Sequence, residues 1–389
     1  MILKLAYRNL IGAKLRTWLN VASLSFLYVL IIGMQSLYKG MQEEGTVNSI
    51  EGEIAAGQYW QKDYDPFDPL SLDESNEKIS GYLSEIIDNG QAFAQLIVPG
   101  TIYPKGRMTS VFLRGVSAVQ DIINIDFSDL SDSSESLPII LGSRMAAQLG
   151  MKEGDFLTVR FRDAEGTFDA IDAKLVKVKK IVVPGMDKNQ IWFNIEDLYK
   201  ITGLQDRATI ITVTKEVSPD DVSGWVFRDH AFLLKDLNDM VMSKKIGGAI
   251  MYSVFLFLAM LAVFDTQILS IFRRKKEIGT LIALGLTKKQ VVALFTAEGS
   301  MHGILAAAAG AVYGSPLIIL FARHGLSFPE GAMDDFGYAF SSTIYPVYSL
   351  MLVLGTVFII MITVITVSYL PSRKIADMNP TEALKGKVS

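Results

Sequence analysis

The chain has 389 residues, half of them hydrophobic, and a formal net charge of −4. This length allows two or three domains, and the hydrophobic share favours a membrane protein over an ordinary soluble one. The sequence contains no cysteine, which excludes disulfides, a thiolate nucleophile and a cysteine-ligated metal. The net charge itself decides little, because the charges are unevenly distributed along the chain.

The N-terminal region predicts two elements. In residues 1–16 four Lys and Arg residues alternate with apolar side chains, which predicts a cytoplasmic amphipathic entry helix on the membrane face, or a simple extension of the first span. Residues 17–38 carry no charge and predict the first transmembrane helix, TM1. This apolar stretch is longer than that of a signal peptide and no A-x-A-like site follows it, so we expect a permanent helix.

Residues 39–245 predict a large mixed α/β domain between TM1 and TM2. Apolar or alternating runs predict strands at residues 92–102, 109–116, 138–141, 156–161, 175–183, 191–193 and 209–213. Short helices are predicted at 143–149 and 196–202, and the polar, acidic stretches 59–80 and 127–136 are predicted to be loops. At both ends of the domain we expect the neighbouring membrane helices to continue outward as a two-helix stalk.

Three further stretches are long and apolar enough to cross a membrane. The remaining boundaries are TM2 at 246–272, a cytoplasmic coupling loop at 273–290, TM3 at 291–322, a short outer loop at 323–344, TM4 at 345–370 and a cytoplasmic tail at 371–389. The alternative, buried helices of a soluble protein, fits poorly because such helices rarely carry apolar runs of 18 residues or more.

The distribution of Lys and Arg predicts the orientation of the spans. Residues 39–245 hold 22 basic and 33 acidic residues, whereas residues 1–16 carry four cations and no acid. The loop 273–290 carries six cations against Glu277 alone. We therefore expect both termini and this loop to be cytoplasmic, and the large domain to lie outside the cytoplasm.

Several chemistries have no support in the sequence. The three histidines, His230, His302 and His324, show no HExxH spacing, so we predict no metal site and no catalytic residues. No G-x-x-x-x-G-K-[ST] phosphate loop is present, so we expect no cofactor or nucleotide bound by this chain and no enzyme activity of its own. The basic runs flank membrane helices and follow the positive-inside pattern, so they do not indicate nucleic acid.

The loop between TM2 and TM3 carries the most informative pattern. Four cations are followed by Glu277-Ile278-Gly279, an apolar turn and then a second small-residue cluster. Thr287 stands where it would cap a new helix, with Gln290 in capping-box position. The residues that form the candidate coupling site are Glu277, Ile278, Gly279, Ala283, Leu284, Gly285, Lys288 and Gln290. Together they predict a small, rigid, exposed helix that a cytoplasmic motor protein could grip.

Four stretches of the chain carry a shared pattern. They are AYRNL at 6–10 with KLRT at 14–17, ILGSRMAAQLG with GDFLTV between 140 and 159, the EIG…ALG run from 277 to 299, and YLPSRKIADMNPTEAL at 369–384. In this order they resemble a family of bacterial ABC-transporter permeases that includes the macrolide and peptide exporters, the lipoprotein-releasing permeases and the FtsX-type cell-division permease.

The resemblance implies a fold and a set of partners. The fold is a polytopic α-helical membrane protein with four transmembrane helices, cytoplasmic termini and a large extracytoplasmic, MacB-like α/β domain. Two copies of an ABC ATPase subunit, which bind ATP and Mg, would pair with this chain and with a second identical or related permease. The resemblance further implies a bacterial cytoplasmic (inner) membrane, contact with membrane lipids, and a lipoprotein, carrier or periplasmic adaptor as candidate partners.

Two intramembrane carboxylates are further candidates, because a charge inside a membrane is costly and is a functional candidate by default. Asp265 lies about two helical turns from the basic cluster of loop 273–290 and is expected to pair with it or with a neighbouring helix. The family more often has Asn at this position, which weakens any shared role for Asp265. Glu298 is expected either to tie the coupling helix to TM3 or to be a carboxylate held near the interface by Lys or Arg.

The resemblance leaves three functions open. The first is mechanotransmission, in which ATP hydrolysis by the partner drives movement of the outer domain. Release of a lipoprotein is the favoured use of this movement. The second is MacB-like efflux of peptides or hydrophobic drugs. The third is FtsX-like regulation of a cell-wall hydrolase without transport. A membrane-anchored sensor with no motor is a further alternative, distinguished by the absence of an ATPase partner.

Overall fold

We analysed a computed structural model that describes residues 14–69, 71–131, 136–329, 340–341 and 343–377. Most of the amphipathic segment predicted at 1–16 lies outside these residues, as do much of the outer loop and positions 378–389 of the predicted tail. The chain forms two compact units. One, the helical unit, comprises residues up to 41, 241–327 and from 343 onward; the other, the α/β unit, comprises residues 42–240 and 328–342.

Helices account for most of the helical unit. The α-helices in the described part of the chain are α1 (Lys14–Ser49), α2 (Tyr82–Asp88), α3 (Ser143–Leu149), α4 (Pro184–Asp187), α5 (Ile195–Thr202), α6 (His230–Leu233), α7 (Lys235–Arg273), α8 (Lys275–Ala283), α9 (Lys288–His324) and α10 (Leu350–Arg373). Within the described residues, four of these helices, α1, α7, α9 and α10, are long and apolar enough to cross a membrane. Side chains from all four meet in one apolar core, for example Leu24, Val263, Ala306 and Val364.

The first and second spans are longer than a membrane crossing requires. Helix α1 has 36 residues and continues into a π-helical turn at Ile50–Ile54, and α7 has 39 residues. Helix α1 thus extends past residue 38 and α7 begins before residue 246, the limits predicted for TM1 and TM2. Within the α/β unit, Gln42 of α1 donates a 2.9 Å hydrogen bond from its side-chain amide to Asn238 of α7.

The fourth span begins later than the sequence predicts. Residues 345–349 are not helical, and α10 begins at Leu350. Pro346 disfavours a helical backbone at the residue before it. The amide of Val347 instead donates a 2.9 Å hydrogen bond to the carbonyl of Ser36 in α1. The Ser349 side chain then caps α10 by accepting a hydrogen bond from the amide of Leu352.

The α/β unit is built on one nine-stranded sheet. The strands described in the chain are β1 (Gly57–Gln61), β2 (Glu77–Lys78), β3 (Ala92–Ile102), β4 (Thr109–Val116), β5 (Leu137–Gly142), β6 (Phe156–Arg162), β7 (Phe168–Lys179), β8 (Gln190–Asn194), β9 (Arg207–Ala208), β10 (Ile210–Val213), β11 (Trp225–Arg228), β12 (Leu326–Ser327) and β13 (Thr343–Ile344). The large sheet has the order β11-β1-β10-β3-β4-β8-β5-β7-β6. Strand β6 also pairs with β3, so the strands from β3 to β6 in this order close into a ring.

The seven strands predicted from apolar runs are confirmed, with small changes of boundary. The prediction of a loop across residues 59–80 is wrong at its start, because β1 occupies Gly57–Gln61 between β10 and β11. Strand β7 also begins earlier than predicted, at Phe168, because a polar stretch pairs with β6 along its full length.

The ILGSRMAAQLG motif has a structural explanation within the α/β unit. It forms the end of β5 and helix α3. The carboxylate of Asp187, which is completely buried, accepts hydrogen bonds from the Arg144 amide at 3.1 and 3.3 Å and forms a 2.9 Å ion pair with the Arg144 guanidinium. A Cβ on Gly142 would lie 1.7 Å from this carboxylate. Glycine at 142 therefore makes room for the buried ion pair.

Candidate functional site

The segment between the second and third spans, residues 273–290, is called the coupling segment below. Helix α7 ends at Arg273, the short helix α8 occupies Lys275–Ala283, and α9 starts at Lys288. The prediction that an apolar turn separates Glu277-Ile278-Gly279 from Ala283-Leu284-Gly285 is therefore wrong, since Glu277 to Ala283 lie in one continuous helix and the turn comes after it, at Leu284 and Gly285. The short exposed helix is α8, and the helix that Thr287 caps is the third span itself.

Two local signals produce the reversal between α8 and α9. The Gly285 amide donates to the carbonyl of Ile282, and the Leu286 amide donates to the carbonyl of Leu281. This pair of bonds, with Gly285 at φ +100°, is the Schellman motif that ends many helices. Thr287 and Gln290 then form the predicted capping box at the start of α9.

Arg274 joins the short helix to the third span. Its Nε donates a 2.6 Å hydrogen bond to Glu277 Oε2 in the first turn of α8. Its Nη1 donates to both carboxylate oxygens of Glu298 in α9, at 3.1 and 2.9 Å. The guanidinium also lies 5.0 Å from the centre of the Phe295 ring, which is a cation–π contact. One arginine thus holds two carboxylates that belong to different helices.

The carboxylates of Glu277 and Glu298 stabilise the charged form of Arg274. Burial by itself would lower the pKa of Arg274, but the hydrogen bond to Glu277 and the charge of Glu298 outweigh burial and raise this pKa. The arginine therefore remains charged at every physiological pH. Hydrogen bonds between charged partners are about twice as strong as neutral ones, so this link is stronger than an ordinary surface contact.

An apolar cluster supports the link from beneath. Ile278 of α8 is completely buried against Ile271 of α7 and against Val291 and Phe295 of α9. Ile375, which follows α10, belongs to the same cluster. The coupling segment therefore contacts the ends of the second, third and fourth spans at once, and it would not move independently of them.

The predicted site residues divide into two groups. Ile278 and Gly279 are buried and fix α8 in place, and the Gln290 side chain is used by the capping box. The exposed residues of the predicted site are Glu277, Ala283, Leu284, Gly285, Lys288 and Gln290. Leu284 is the most exposed apolar one, with 75% of its surface accessible. The exposed group is available to a partner protein, whereas the buried group is structural.

The structure places the two intramembrane carboxylates differently. Glu298 is buried and bound to Arg274, so the arrangement fits both alternatives for it: the carboxylate is held by an arginine, and that arginine belongs to the coupling segment. Asp265 is exposed on α7 and forms no hydrogen bond or ion pair with the residues that the structure describes. The expected pairing of Asp265 with the basic cluster is therefore wrong for this structure.

Sequence reasoning missed Arg274 itself. It lies within four consecutive cations, and nothing in their spacing distinguishes the second from its neighbours. Only the structure identifies it, because Arg274 stands at the one-residue break between α7 and α8 and bonds Glu277 of α8 and Glu298 of α9.

Comparison with known proteins agrees with this arrangement. Residues 249–380 match the model of the FtsX-like permease C-terminal family, which covers the coupling segment and the last three spans. An uncharacterized ABC transporter permease of Methanocaldococcus jannaschii is 25% identical over 230 residues. Together these two matches support the FtsX-like ABC permease superfamily for this chain. The matched region is 55% of this chain and 55% of the relative, so the chain spans about half the length of the curated relative it matches.

A second group of polar residues lies within the FtsX-like permease domain. Gly299 permits the close packing of three spans, because a Cβ at this position would lie 2.4 Å from Ser368 Oγ and 2.7 Å from Gln267 Nε2. His302 is also buried and contacts the carbonyl of Gly299 through Nδ1 at 3.1 Å. Gln267 Oε1, His302 Nε2 and Ser368 Oγ are buried atoms with no hydrogen-bond partner among the described residues.

Proposed function

We propose that this chain is the permease subunit of an ABC transporter in a bacterial cytoplasmic membrane, and that a separate ATPase subunit drives it through the coupling segment. The similarity to ABC permeases supports an ATPase partner. The observation that carries the proposal is the double ion pair of Arg274, which connects Glu277 on α8 with Glu298 on α9. A force applied to α8 would therefore act directly on a membrane-spanning helix.

The proposed cycle assigns a role to each group of residues in the coupling segment. The ATPase would contact the exposed surface of α8, including Leu284, when it closes around ATP and Mg. The buried Ile278 and the Arg274 ion pairs would transmit the displacement to the third span, because packed apolar clusters and ion pairs shift as a unit. In a dimer of permeases, these displacements would move the α/β units.

We propose that the cargo is a lipoprotein, which the transporter releases from the inner membrane. The resemblance to the lipoprotein-releasing permeases supports this proposal. Efflux of peptides or hydrophobic drugs and regulation of a cell-wall hydrolase remain alternatives. Full-length permease and ATPase in proteoliposomes that carry a fluorescent lipoprotein would separate them. ATP-dependent transfer of the lipoprotein to a soluble acceptor supports release, whereas ATP-dependent binding of a hydrolase without transfer supports regulation.

The coupling itself is tested with the ATPase subunit that co-purifies with the full-length chain in a mild detergent. We expect Arg274→Gln and Glu298→Gln to retain the ATPase subunit but to lose permease-dependent stimulation of ATP hydrolysis by about fivefold or more. The reason is that docking uses exposed residues of α8, whereas transmission needs the connection from α8 to α9.

Arg273→Gln is the matched control. Arg273 is an exposed neighbour with the same charge, and it forms no ion pair with the residues that the structure describes. We expect this variant to stimulate ATP hydrolysis like the wild type. Wild-type stimulation in Arg274→Gln and Glu298→Gln would disprove the proposed transmission route. Failure to recover any ATPase subunit with the wild-type chain would disprove the transporter function as a whole.

A further inference from the structure

An open groove runs between α9 and α10 of the helical unit, with a volume of about 770 Å³. Its walls are mainly apolar, as shown by Val292 and Ile304 of α9 and Met361 and Ile365 of α10. Ile304 and Ile365 are themselves exposed. The groove faces away from the α1–α7–α9–α10 core, so it is open to whatever surrounds the helical unit.

The two walls run in opposite directions. Gly299 lies against Ser368, and Gly303, four residues further along α9, lies against Met361 and Val364, which come earlier in α10. The start of α9 is therefore next to the end of α10. This brings two cations, Lys289 and Arg373, to the same end of the groove, and both line it.

These two cations differ from Arg274 in their partners. Neither Lys289 nor Arg373 forms a hydrogen bond or ion pair with any residue that the structure describes, whereas nearby Arg274 holds two carboxylates. Tyr369, also on the groove wall, is 46% exposed one turn from Arg373. Aromatic rings with a polar tip are typical of the level where lipid headgroups meet the hydrocarbon.

The dimensions of the groove correspond to one leaflet. From Lys289 to Ile304 helix α9 rises about 22 Å, since each residue adds 1.5 Å. Half of a bilayer, from the hydrocarbon midplane to the outer edge of the headgroups, is of the same order, about 20 Å. The groove therefore has a cationic end at headgroup level and an apolar length sufficient for an acyl chain.

We infer that this groove is a binding site for an anionic phospholipid from the leaflet at the cationic end. The phosphate lies between Lys289 and Arg373, and an acyl chain follows the apolar walls of α9 and α10. Charge complementarity favours this occupant, because a ligand with one negative head and an apolar tail matches a groove with cations at one end only. Basic pockets between transmembrane helices are known to bind such headgroups.

The inference is tested with the full-length chain in detergent by native mass spectrometry. Dioleoylphosphatidylglycerol and dioleoylphosphatidylcholine, which share the same acyl chains, are titrated separately. We expect the wild-type chain to prefer the anionic lipid by about tenfold, because two cations contribute to its binding. The double variant Lys289→Gln/Arg373→Gln should bind the two lipids about equally.

Two further variants make the result specific. Lys275→Gln/Lys276→Gln removes the same charge from the coupling segment without altering the groove, and we expect it to keep the tenfold preference. Ala297→Phe places a large side chain in the groove between its walls. We expect it to weaken the binding of both lipids by a similar factor. Size-exclusion chromatography after heating, which reports on the helical unit as well, verifies that each variant is folded.

Other outcomes would overturn the inference. If Lys289→Gln/Arg373→Gln retains the preference, the headgroup does not bind there. If Lys275→Gln/Lys276→Gln abolishes the preference equally, the lipid responds to general charge and not to this site. If Ala297→Phe converts a dimer to a monomer while anionic lipid still binds, the groove seats a second copy of the chain instead.

Discussion

Each unit of the molecule contains an arginine that joins two elements through a carboxylate, but the two ion pairs differ in how exposed their carboxylates are. In the α/β unit, Arg144 holds the fully buried Asp187, so this pair is part of the folded core. In the helical unit, Arg274 holds Glu298 and also Glu277, whose side chain is 61% exposed. The two arginine side chains are similarly exposed, 24% for Arg144 and 20% for Arg274, so the difference lies in the carboxylates. A pair with only a fully buried carboxylate, called closed here, fixes the fold, whereas a pair that includes the exposed Glu277, called open, remains accessible to a partner.

The largest effect is expected from breaking the closed pair. Arg144→Gln would leave the Asp187 carboxylate buried without a counter-charge, and we expect the unfolding free energy to fall by about 3 kcal/mol at neutral pH. Thermal unfolding of the full-length chain can be followed by tryptophan fluorescence. Three of the four tryptophans, Trp60, Trp192 and Trp225, belong to the α/β unit, so this signal reports mainly on it.

The same variant should show a diagnostic dependence on pH. Burial raises the pKa of Asp187, although Arg144 opposes this shift. Because the folded pKa exceeds the unfolded one, the contribution of this group to stability decreases as the pH rises through the folded pKa. Without Arg144 the pKa rises further, so the deficit of Arg144→Gln should be smaller at pH 5 than at pH 8. An equal deficit at both pH values would contradict this account.

The next effect concerns the space that the closed pair needs. In Gly142→Ala the new methyl group would overlap the Asp187 carboxylate, and we expect a loss of about 2–3 kcal/mol from overpacking. Gly185→Ala is the control, because a Cβ at Gly185 meets no atom within 4 Å. The control should change the melting temperature of the α/β unit little. Equal stability of the two variants would show that the backbone around Asp187 relaxes easily.

Gly299→Ala tests close packing in the helical unit. The added methyl would overlap Ser368 and Gln267 where three spans meet, and we expect a loss of about 2 kcal/mol. Gly355→Ala in α10 has no atom within 4 Å of the new Cβ and is the control. Thermostability measured by size-exclusion chromatography after heating distinguishes the two. A Gly299→Ala chain as stable as the control would mean that the spans separate without cost.

The smallest effects distinguish the two carboxylates of the open pair. Glu298→Gln removes a buried partner of Arg274 and should cost about 1.5 kcal/mol. Glu277→Gln removes an exposed one, and the loss should be below about 0.5 kcal/mol. The same heating assay measures both variants. If Glu277→Gln costs as much as Glu298→Gln, the pair is not open on one side and the comparison between the two units fails.

The sequence predicted the elements whose signals are local. The strands β3 and β4 follow apolar runs, and the start of α9 follows a capping box, so both could be recognised from neighbouring residues. Strand β1 was missed because Gln58 and Gln61 are buried in it, and their amides are satisfied by distant or local partners such as Thr212 and Asp63. A buried polar residue looks like a loop residue until its partner is known.

The candidate site was only partly predictable for the same reason. The exposed residues of α8 stand out as a cluster of small and charged residues, but Arg274 is defined by Glu298, which is 24 positions away. Asp265 illustrates the reverse case, because its position in the sequence implied a partner and no side chain of the described residues forms a hydrogen bond or ion pair with it. Contacts between spans depend on helix rotation, which a single sequence does not specify.

The reversal between α8 and α9 has one further consequence. Its hydrogen bonds involve only residues from Leu281 to Gln290, and its geometry depends on Gly285 and Thr287. The turn itself is therefore encoded locally, whereas the angle between the two helices is also held by the Ile278 cluster and the Arg274–Glu298 ion pair. We expect a chimaera that carries residues 281–290 in another FtsX-like permease to form the same turn, while the exposed surface of its short helix would be set by the residues on either side.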